Sequence, residues 1–278
     1  MQSNPTQVLS ETQISSFFER GMLRVDFGFD AAFLDAIVDR VEPLYDQSVQ
    51  LKRHHGARVQ DAWKTVEEVR QLAVHSTIYA ALEQIFGRRP RPFQTLNFPI
   101  GTSQLPHSDT LHFNSIPQGY LAGVWIALED IGLENGPLIY YPCSHKLAEL
   151  SMQDLGLNAR REDYQKYEQR IQLLISEQQL TAEYGMLKKG EAIIWHANLL
   201  HGGAPQQDPE RTRHSQVIHY FFEGCKYYTP MLSGRYTRYY RKPQWIPETP
   251  DFEIPDNKGR AHPGILRRIM MKLGLGNF

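Results

Sequence analysis

The sequence predicts an α+β fold in which helices precede a cupin-like jelly roll, a barrel built from two antiparallel sheets (a double-stranded β-helix). Three observations lead to this prediction. Apolar residues recur at helical spacing through the first 87 residues. From Phe93 onward, short runs of β-branched and aromatic residues alternate with Gly and Pro. A charged stretch of helix-forming residues, 160–170, interrupts these runs and predicts a helical insertion.

We expect this fold to occupy one domain over residues 1–278. Within it, a helical N-terminal part covers 1–90 and a jelly-roll core covers about 91–240. The insertion is placed at 146–185, and the C-terminal tail at 241–278. A single domain of this size is common among all-β barrels, and the chain is long enough to bury a sizeable core.

The first predicted helix begins at a capping box, in which Ser10 is followed three residues later by Gln13. It should end near Arg20, because Gly21 follows. The alternating residues 23–26 then predict an edge strand.

Helical periodicity returns over 31–39, and Pro43 marks the first weak point of that helix. The polar, basic stretch 51–61 predicts a loop. A further helix is expected from Trp63 to Phe86, with Gly87 ending it.

The second half of the chain predicts strands, and their apolar patterns set the bounds. The expected strands are Phe93–Ile100, a strand through His107, Gly119–Leu128, Leu138–Tyr141, Met186–Leu187, Glu191–His196 and Arg213–Glu223. The stretch Gly119–Leu128 is apolar on both faces, which indicates a central strand. No internal repeat stands out.

Composition excludes several classes of protein. The net charge is −1, from 30 basic and 31 acidic residues, which gives no electrostatic footprint for nucleic acid. Cys143 and Cys225 form no metal-binding or disulfide pattern, so reduced thiols are expected. The polar N-terminus and the absence of a long apolar run predict a cytoplasmic protein without an integral membrane segment. The basic tail 265–278 could pack on its own domain, on a homodimer partner or on a membrane surface, and these alternatives stay open.

A metal site is predicted by His107 and Asp109. These residues are two positions apart, so on a strand both side chains reach the same face. Two histidines and one carboxylate suit Fe(II) and oxygen chemistry, and His201 is the candidate third ligand. His196 competes with His201, whereas His112 lacks a carboxylate two residues further on.

Several motifs in order give the chain a family resemblance. They are His107-Ser108-Asp109, Gly123–Asp130, Glu134-Asn135-Gly136-Pro137-Leu138, Pro142–Lys146, Gly190–His196, His201-Gly202, Arg213 and Tyr220. With these motifs, residues 60–240 resemble the phytanoyl-CoA dioxygenase family of Fe(II)/2-oxoglutarate oxygenases.

The resemblance implies a ligand set and two cosubstrates, 2-oxoglutarate and O2. Fe(II) would be bound by His107, Asp109 and His201, and 2-oxoglutarate would chelate it. Arg213 would bind the far carboxylate of 2-oxoglutarate, with Ser215 as a hydroxyl donor on the same strand face. In such enzymes 2-oxoglutarate becomes succinate and CO2 while a substrate C–H bond is hydroxylated. Arg211 competes with Arg213, but it lies in a polar loop.

Further contacts are predicted less directly. Gln94, Asn97 and Gln104 could bind the cosubstrate or cap strand ends. Trp125 and Tyr140 could line a substrate pocket or belong to the core. The family often has Ser after the distal His-Gly, but this chain has Gly203, and Ser215 could supply the missing hydroxyl.

The expected substrate is a small organic molecule. The many tyrosines favour a polar or sugar-linked metabolite over an acyl-CoA thioester. A non-catalytic jelly-roll binding module and a zinc cupin-type isomerase are the alternatives. Arg213 argues against both, because neither needs a buried cation facing the metal.

Overall fold

A computed structural model describes residues 7–48, 58–158, 161–234 and 236–249. Its α-helices are α1 (Glu11–Arg20), α2 (Ala31–Ser48), α3 (Glu67–Ala73), α4 (Ser76–Phe86) and α5 (Arg161–Glu177). Its strands are β1 (Met22–Asp26), β2 (Val59–Gln60), β3 (Pro90–Phe98), β4 (Asn114–Ile116), β5 (Leu121–Ala127), β6 (Leu138–Tyr140), β7 (Glu183–Gly185), β8 (Glu191–His196), β9 (His201–Gly203), β10 (Ser215–Phe222) and β11 (Lys226–Tyr228). The predicted α+β class and the jelly-roll core are confirmed.

The N-terminal helix begins and ends as its sequence predicts. The hydroxyl of Ser10 accepts a hydrogen bond from the backbone nitrogen of Gln13 at 3.2 Å, and the Gln13 amide oxygen accepts one from the nitrogen of Ser10 at 2.9 Å. Gly21 has a φ of 79°, a left-handed conformation that ends the helix at little cost. The edge position of β1 also follows the prediction.

The next two helical predictions are wrong in extent. Helix α2 continues through Pro43 to Ser48, because Ile37, Val41 and Tyr45 bury one side of it against the core. The single helix expected over Trp63–Phe86 is two helices, α3 and α4. They separate at His75, whose ring accepts the backbone N–H of Thr77 and so caps α4.

The larger sheet holds six antiparallel strands in the order β1-β8-β5-β10-β3-β2. Its two faces differ because side chains alternate along each strand. Val124, Ile194 and Ile218 belong to the cluster that includes residues of the N-terminal helices. Trp125 and Trp195 belong to the second cluster, on the face that turns toward the candidate site.

The smaller sheet, β7-β6-β9, faces the larger one, and β11 pairs with β4 beside them. Helix α5 lies inside the predicted insertion and buries Tyr167 and Ile171 beside Leu200. The insertion was expected to reach 185, but its last residues form β7, which pairs with β6. The insertion therefore contributes a strand to the jelly roll as well as a helix.

Among the described residues, none of the helices has the length and apolar character needed to cross a membrane. The basic tail 265–278 and the first part of the predicted loop, residues 51–57, lie outside the described residues.

Candidate metal centre

Backbone pairing brings two of the three predicted ligands together. The amide of His107 donates to the carbonyl of His201 at 2.9 Å, and the amide of His201 donates back at 3.0 Å. The strand predicted through His107 is wrong beyond this bridge, because Asp109–Leu111 form a 3-10 turn. The amide of Asp109 instead donates to the carbonyl of Ala197 at 3.0 Å, which fixes its side chain beside the histidines.

Hydrogen bonds orient the lone pairs of the two histidines. Nδ1 of His107 lies 3.1 Å from the carbonyl of Leu105, and Nδ1 of His201 lies 2.9 Å from that of Leu199. A carbonyl only accepts, so each Nδ1 carries the proton and each Nε2 presents a lone pair. The Nε2 atoms of His107 and His201 lie 3.9 and 3.8 Å from Oδ1 of Asp109. All three ligand atoms lie within 4.8 Å of one another, so they can share one cation.

The other oxygen of Asp109 is occupied by neighbours. Nε1 of Trp195 donates to Oδ2 at 2.8 Å, and Nε2 of His219 lies 3.5 Å from the same atom. The indole fits there because Gly123 lies opposite it on β5, where a Cβ would overlap the Trp195 ring. Oδ1 is therefore the oxygen left for a metal.

Charge states also suit a metal. Burial, followed by the nearby His201, lowers the pKa of His107 to about 3, so its ring is neutral at physiological pH. Burial alone would raise the pKa of Asp109, but His201, His219 and His107 together hold it well below its usual value. A carboxylate and neutral imidazoles are the forms that bind a divalent cation.

Arg213 is buried at one side of the centre, with 3% of its surface exposed. Its guanidinium lies 5.3 Å from the Phe98 ring and 5.7 Å from the Trp125 ring. Nη2 donates to the carbonyl of Ile100 at 3.2 Å, whereas Nε is buried without a partner among the described residues. Burial lowers the pKa of Arg213 to about 10, so it stays charged. An unsatisfied buried guanidinium N–H fits a carboxylate ligand.

The centre and Arg213 share one cavity of about 730 Å³. Of the other sequence candidates, Gln94, Gln104 and Trp125 also line it. Nε2 of Gln104 lies 3.4 Å from Nε2 of His107, so this amide stands beside the metal position.

Three candidates lie elsewhere. Asn97 is three residues from Gln94, so it faces the other side of β3, where Nδ2 donates to the amide oxygen of Gln216 at 3.1 Å. The hydroxyl of Ser215 donates to the carbonyl of Arg213 at 3.4 Å and is absent from the cavity wall. Tyr140 points out of the cavity, where its hydroxyl donates to Glu183 at 3.4 Å.

The position left by Gly203 is taken by another hydroxyl. A Cβ on Gly203 would overlap Oγ1 of Thr102, and Thr102 lines the cavity. A serine at 203 has no room while Thr102 holds this place. Thr102, rather than Ser215, therefore places a hydroxyl in the cavity wall beside Gly203.

The competing residues separate in the structure. His196 lies outside the triad and its ring packs 5.5 Å from that of His145. Arg211 is exposed and pairs with Asp208. His112 would lie on the opposite face from His107 if the strand continued, but the strand ends before it, and its ring lies in the cavity wall 6.4 Å from that of His107.

A jelly roll that carries two histidines and one carboxylate beside an open cavity is the arrangement found in non-haem iron oxygenases. A family model described as "Phytanoyl-CoA dioxygenase (PhyH)" matches residues 17–215. The chain belongs to this family, as its motifs predict.

Curated relatives carry the same family name. A "Phytanoyl-CoA dioxygenase domain-containing protein 1 homolog" from Caenorhabditis briggsae is 22% identical over 87% of this chain and 78% of its own length. A "Phytanoyl-CoA dioxygenase" from Arabidopsis thaliana is 30% identical over 55% of this chain. The chain spans only 53% of that relative.

Solved structures share the fold at low sequence identity. A non-haem α-ketoglutarate-dependent carbocyclase, SnoK, from nogalamycin biosynthesis has a TM-score of 0.62 at 18% identity and covers 81% of this chain and 90% of its own. EctD from S. alaskensis, solved with 2-oxoglutarate and 5-hydroxyectoine, has a TM-score of 0.59 at 17% identity, over 83% and 82% of the two chains.

Proposed function

We propose that this chain is an Fe(II)- and 2-oxoglutarate-dependent dioxygenase that hydroxylates a C–H bond of a small organic molecule. Succinate and CO2 are the coproducts. One observation carries the proposal: three metal-binding groups lie in one cavity with the guanidinium of Arg213, whose buried Nε has no partner among the described residues.

Each part of the cavity has a role in this reaction. His107, Asp109 and His201 would hold iron, which supplies the activation of O2 when it is bound. Arg213 would bind the carboxylate of 2-oxoglutarate that lies far from the metal, where a buried cation is worth more than in water. The wall of Trp125 and Phe98 keeps water from this ion pair.

Hydroxylation is favoured over halogenation because Asp109 is present. Halogenases of related folds have a small residue in this place, which leaves room for a halide. Here the carboxylate fills it, and the hydrogen bond from Trp195 holds it there. A binding module or a zinc isomerase would not need Arg213, whose burial costs free energy because no carboxylate of the described residues pairs with it.

Anaerobic addition of Fe(II) and 2-oxoglutarate to the metal-free protein tests the proposal. A weak visible absorption band that requires both additions is expected, followed by succinate formation when air is admitted. Arg213→Gln should raise the 2-oxoglutarate concentration for half-saturation of this band at least tenfold, since a charged hydrogen-bonded pair is lost. Arg211→Gln removes an exposed guanidinium two residues away and should leave it unchanged.

Absence of the band, together with no succinate in air, would contradict the proposal. Tight zinc binding by a protein inert toward 2-oxoglutarate would support the isomerase or the binding module instead.

A further inference from the structure

The cavity carries more positive charge than the proposed reaction uses. Among the residues that the structure describes, its wall contains three arginines, Arg58, Arg213 and Arg241, and one carboxylate, that of Asp109. Arg213 is assigned to 2-oxoglutarate. A ferrous ion and the 2-oxoglutarate dianion cancel each other in charge, so their binding leaves the excess of two positive charges in place.

Arg241 is held in the cavity wall by hydrogen bonds from its backbone and its side chain. Its backbone nitrogen donates to the carbonyl of Tyr227 at 2.8 Å, and Nη1 donates to the carbonyl of His112 at 3.3 Å. The guanidinium lies 4.5 Å from the Phe113 ring. Burial lowers the pKa of Arg241 to about 10. Among the described residues, no carboxylate forms an ion pair with this guanidinium.

Arg58 approaches the same region from another part of the chain. It directly precedes β2 and lines the same cavity, and Tyr164 on α5 is close enough to act electrostatically on its charge. That hydroxyl lies 3.4 Å from Nε2 of His112. Within the described ranges, Arg58 forms no ion pair, and burial lowers its pKa.

His112 contacts both parts of this region: Arg241 donates to its backbone, and Tyr164, which acts electrostatically on Arg58, meets its ring. The His112 ring is 6.4 Å from that of the metal ligand His107. Guanidinium groups that are partly desolvated and lack a carboxylate are costly unless a ligand supplies the anion.

We propose that the substrate is an organic anion, whose carboxylate or phosphate group binds between Arg58 and Arg241 while another carbon of the molecule faces the metal centre. The inference rests on the proposed function, because it assigns Arg213 to 2-oxoglutarate. It names the substrate class of the same site. Arginine forks suit both kinds of oxyanion, and Phe113 offers an apolar surface to the rest of the molecule.

Binding of simple anions tests the subsite without turnover. Inorganic phosphate and acetate are titrated by calorimetry into the full chain loaded with Mn(II) and saturated with 2-oxoglutarate. At least one of them should bind. Arg58→Gln and Arg241→Gln should each weaken that binding at least tenfold, and Arg241→Lys should restore part of it. Arg238→Gln is the matched control, since Arg238 is an exposed residue of the same segment outside the cavity and should change binding less than twofold.

The anion that binds, acetate or phosphate, shows whether the substrate group at this subsite is a carboxylate or a phosphate. If neither anion binds, or if both arginine variants bind as the parent does, the inference is wrong. A circular dichroism spectrum of each variant separates loss of the subsite from loss of the fold.

A substrate screen separates this inference from the proposed function. Organic acids and phosphates are compared with their neutral methyl esters, with succinate formation as the measurement. Stimulation by the anions alone is expected, and Arg241→Gln should raise KM at least tenfold while changing kcat less. Equal stimulation by esters would overturn the anion inference and leave the dioxygenase intact. No succinate with any compound, together with no visible band, would overturn the proposed function itself.

Discussion

The indole nitrogen of Trp195 donates a hydrogen bond to Oδ2 of Asp109 at 2.8 Å, inside the protein. This bond leaves Oδ1 as the oxygen that faces both histidines. It also fixes the carboxylate in the one orientation in which a single oxygen can bind the metal. Such contacts to a ligand commonly change metal affinity by about 10- to 100-fold.

Trp195→Phe should therefore weaken metal binding by roughly tenfold while the ring still fills most of the same space. The measurement is the dissociation constant for Mn(II), obtained by competition with a chelator. Trp63→Phe is the control, because the Nε1 of Trp63 is buried without a hydrogen-bond partner among the described residues. Equal affinity in the parent and Trp195→Phe would show that the indole does not orient Asp109.

The place of the indole depends on Gly123. Trp195, Gly123 and His219 lie side by side on β8, β5 and β10, and a Cβ on Gly123 would overlap the indole ring. Gly123→Ala should displace the indole and weaken Mn(II) binding about as much as Trp195→Phe. In the double variant the hydrogen bond is already absent, so the two losses should not add. Fully additive losses would mean that Gly123 acts by some other route.

The triad could be predicted because its signals are local. His107 and Asp109 are near neighbours in sequence, and the His-Gly motif marks His201. The structure brings all three together, although through a bridge and a 3-10 turn rather than through one continuous strand.

The residues around the triad could not be predicted in the same way. Trp195 and His219 reach Asp109 from different strands, so their roles depend on which strands are neighbours and in what register. The sequence does contain one signal for His219. It lies an even number of residues from Ser215 and Val217, so its side chain is on the same face of the strand. The same alternation separates Asn97 from Gln94, because the two residues are an odd number of positions apart on β3.

Thr102 and Gly203 form a matched pair beside the distal histidine. Thr102→Ala removes the hydroxyl, so we expect weaker binding of 2-oxoglutarate, by about 3- to 10-fold for one hydrogen bond. Gly203→Ser should weaken the binding of 2-oxoglutarate further, because the new Cβ would overlap the Thr102 hydroxyl. The double variant, Thr102→Ala with Gly203→Ser, moves the hydroxyl to the other side chain and should recover part of the affinity. The affinity of each variant is measured as the 2-oxoglutarate concentration that half-saturates the visible band. A double variant that binds 2-oxoglutarate more weakly than both single variants would show that the hydroxyl cannot be moved from residue 102 to residue 203.

The pH dependence of stability should report on His196, which lies outside the triad. Its Nδ1 accepts a hydrogen bond from the backbone nitrogen of Asn198 at 3.1 Å, so a proton on Nδ1 would face another donor. Burial, followed by the nearby His145, lowers the pKa of His196 to about 4. In the unfolded chain the pKa is about 6.5, so as pH falls from there the unfolded state gains a proton that the folded state does not.

The contribution of His196 to stability is therefore fully present above about pH 6.5 and is lost as the pH falls toward about 4. The slope for one proton is about 1.4 kcal/mol per pH unit, which amounts to about 3 kcal/mol over this interval. His196→Asn keeps an acceptor near Asn198 but cannot titrate, so its free energy of unfolding should fall less steeply between pH 6.5 and 4.5. Urea unfolding of the metal-free parent and variant at constant ionic strength measures both slopes. Buried histidines other than the neighbouring His145 contribute equally to the two proteins, so the difference in slope reports the titration of His196 together with its effect on His145. Parallel curves would place the titration of His196 outside this range.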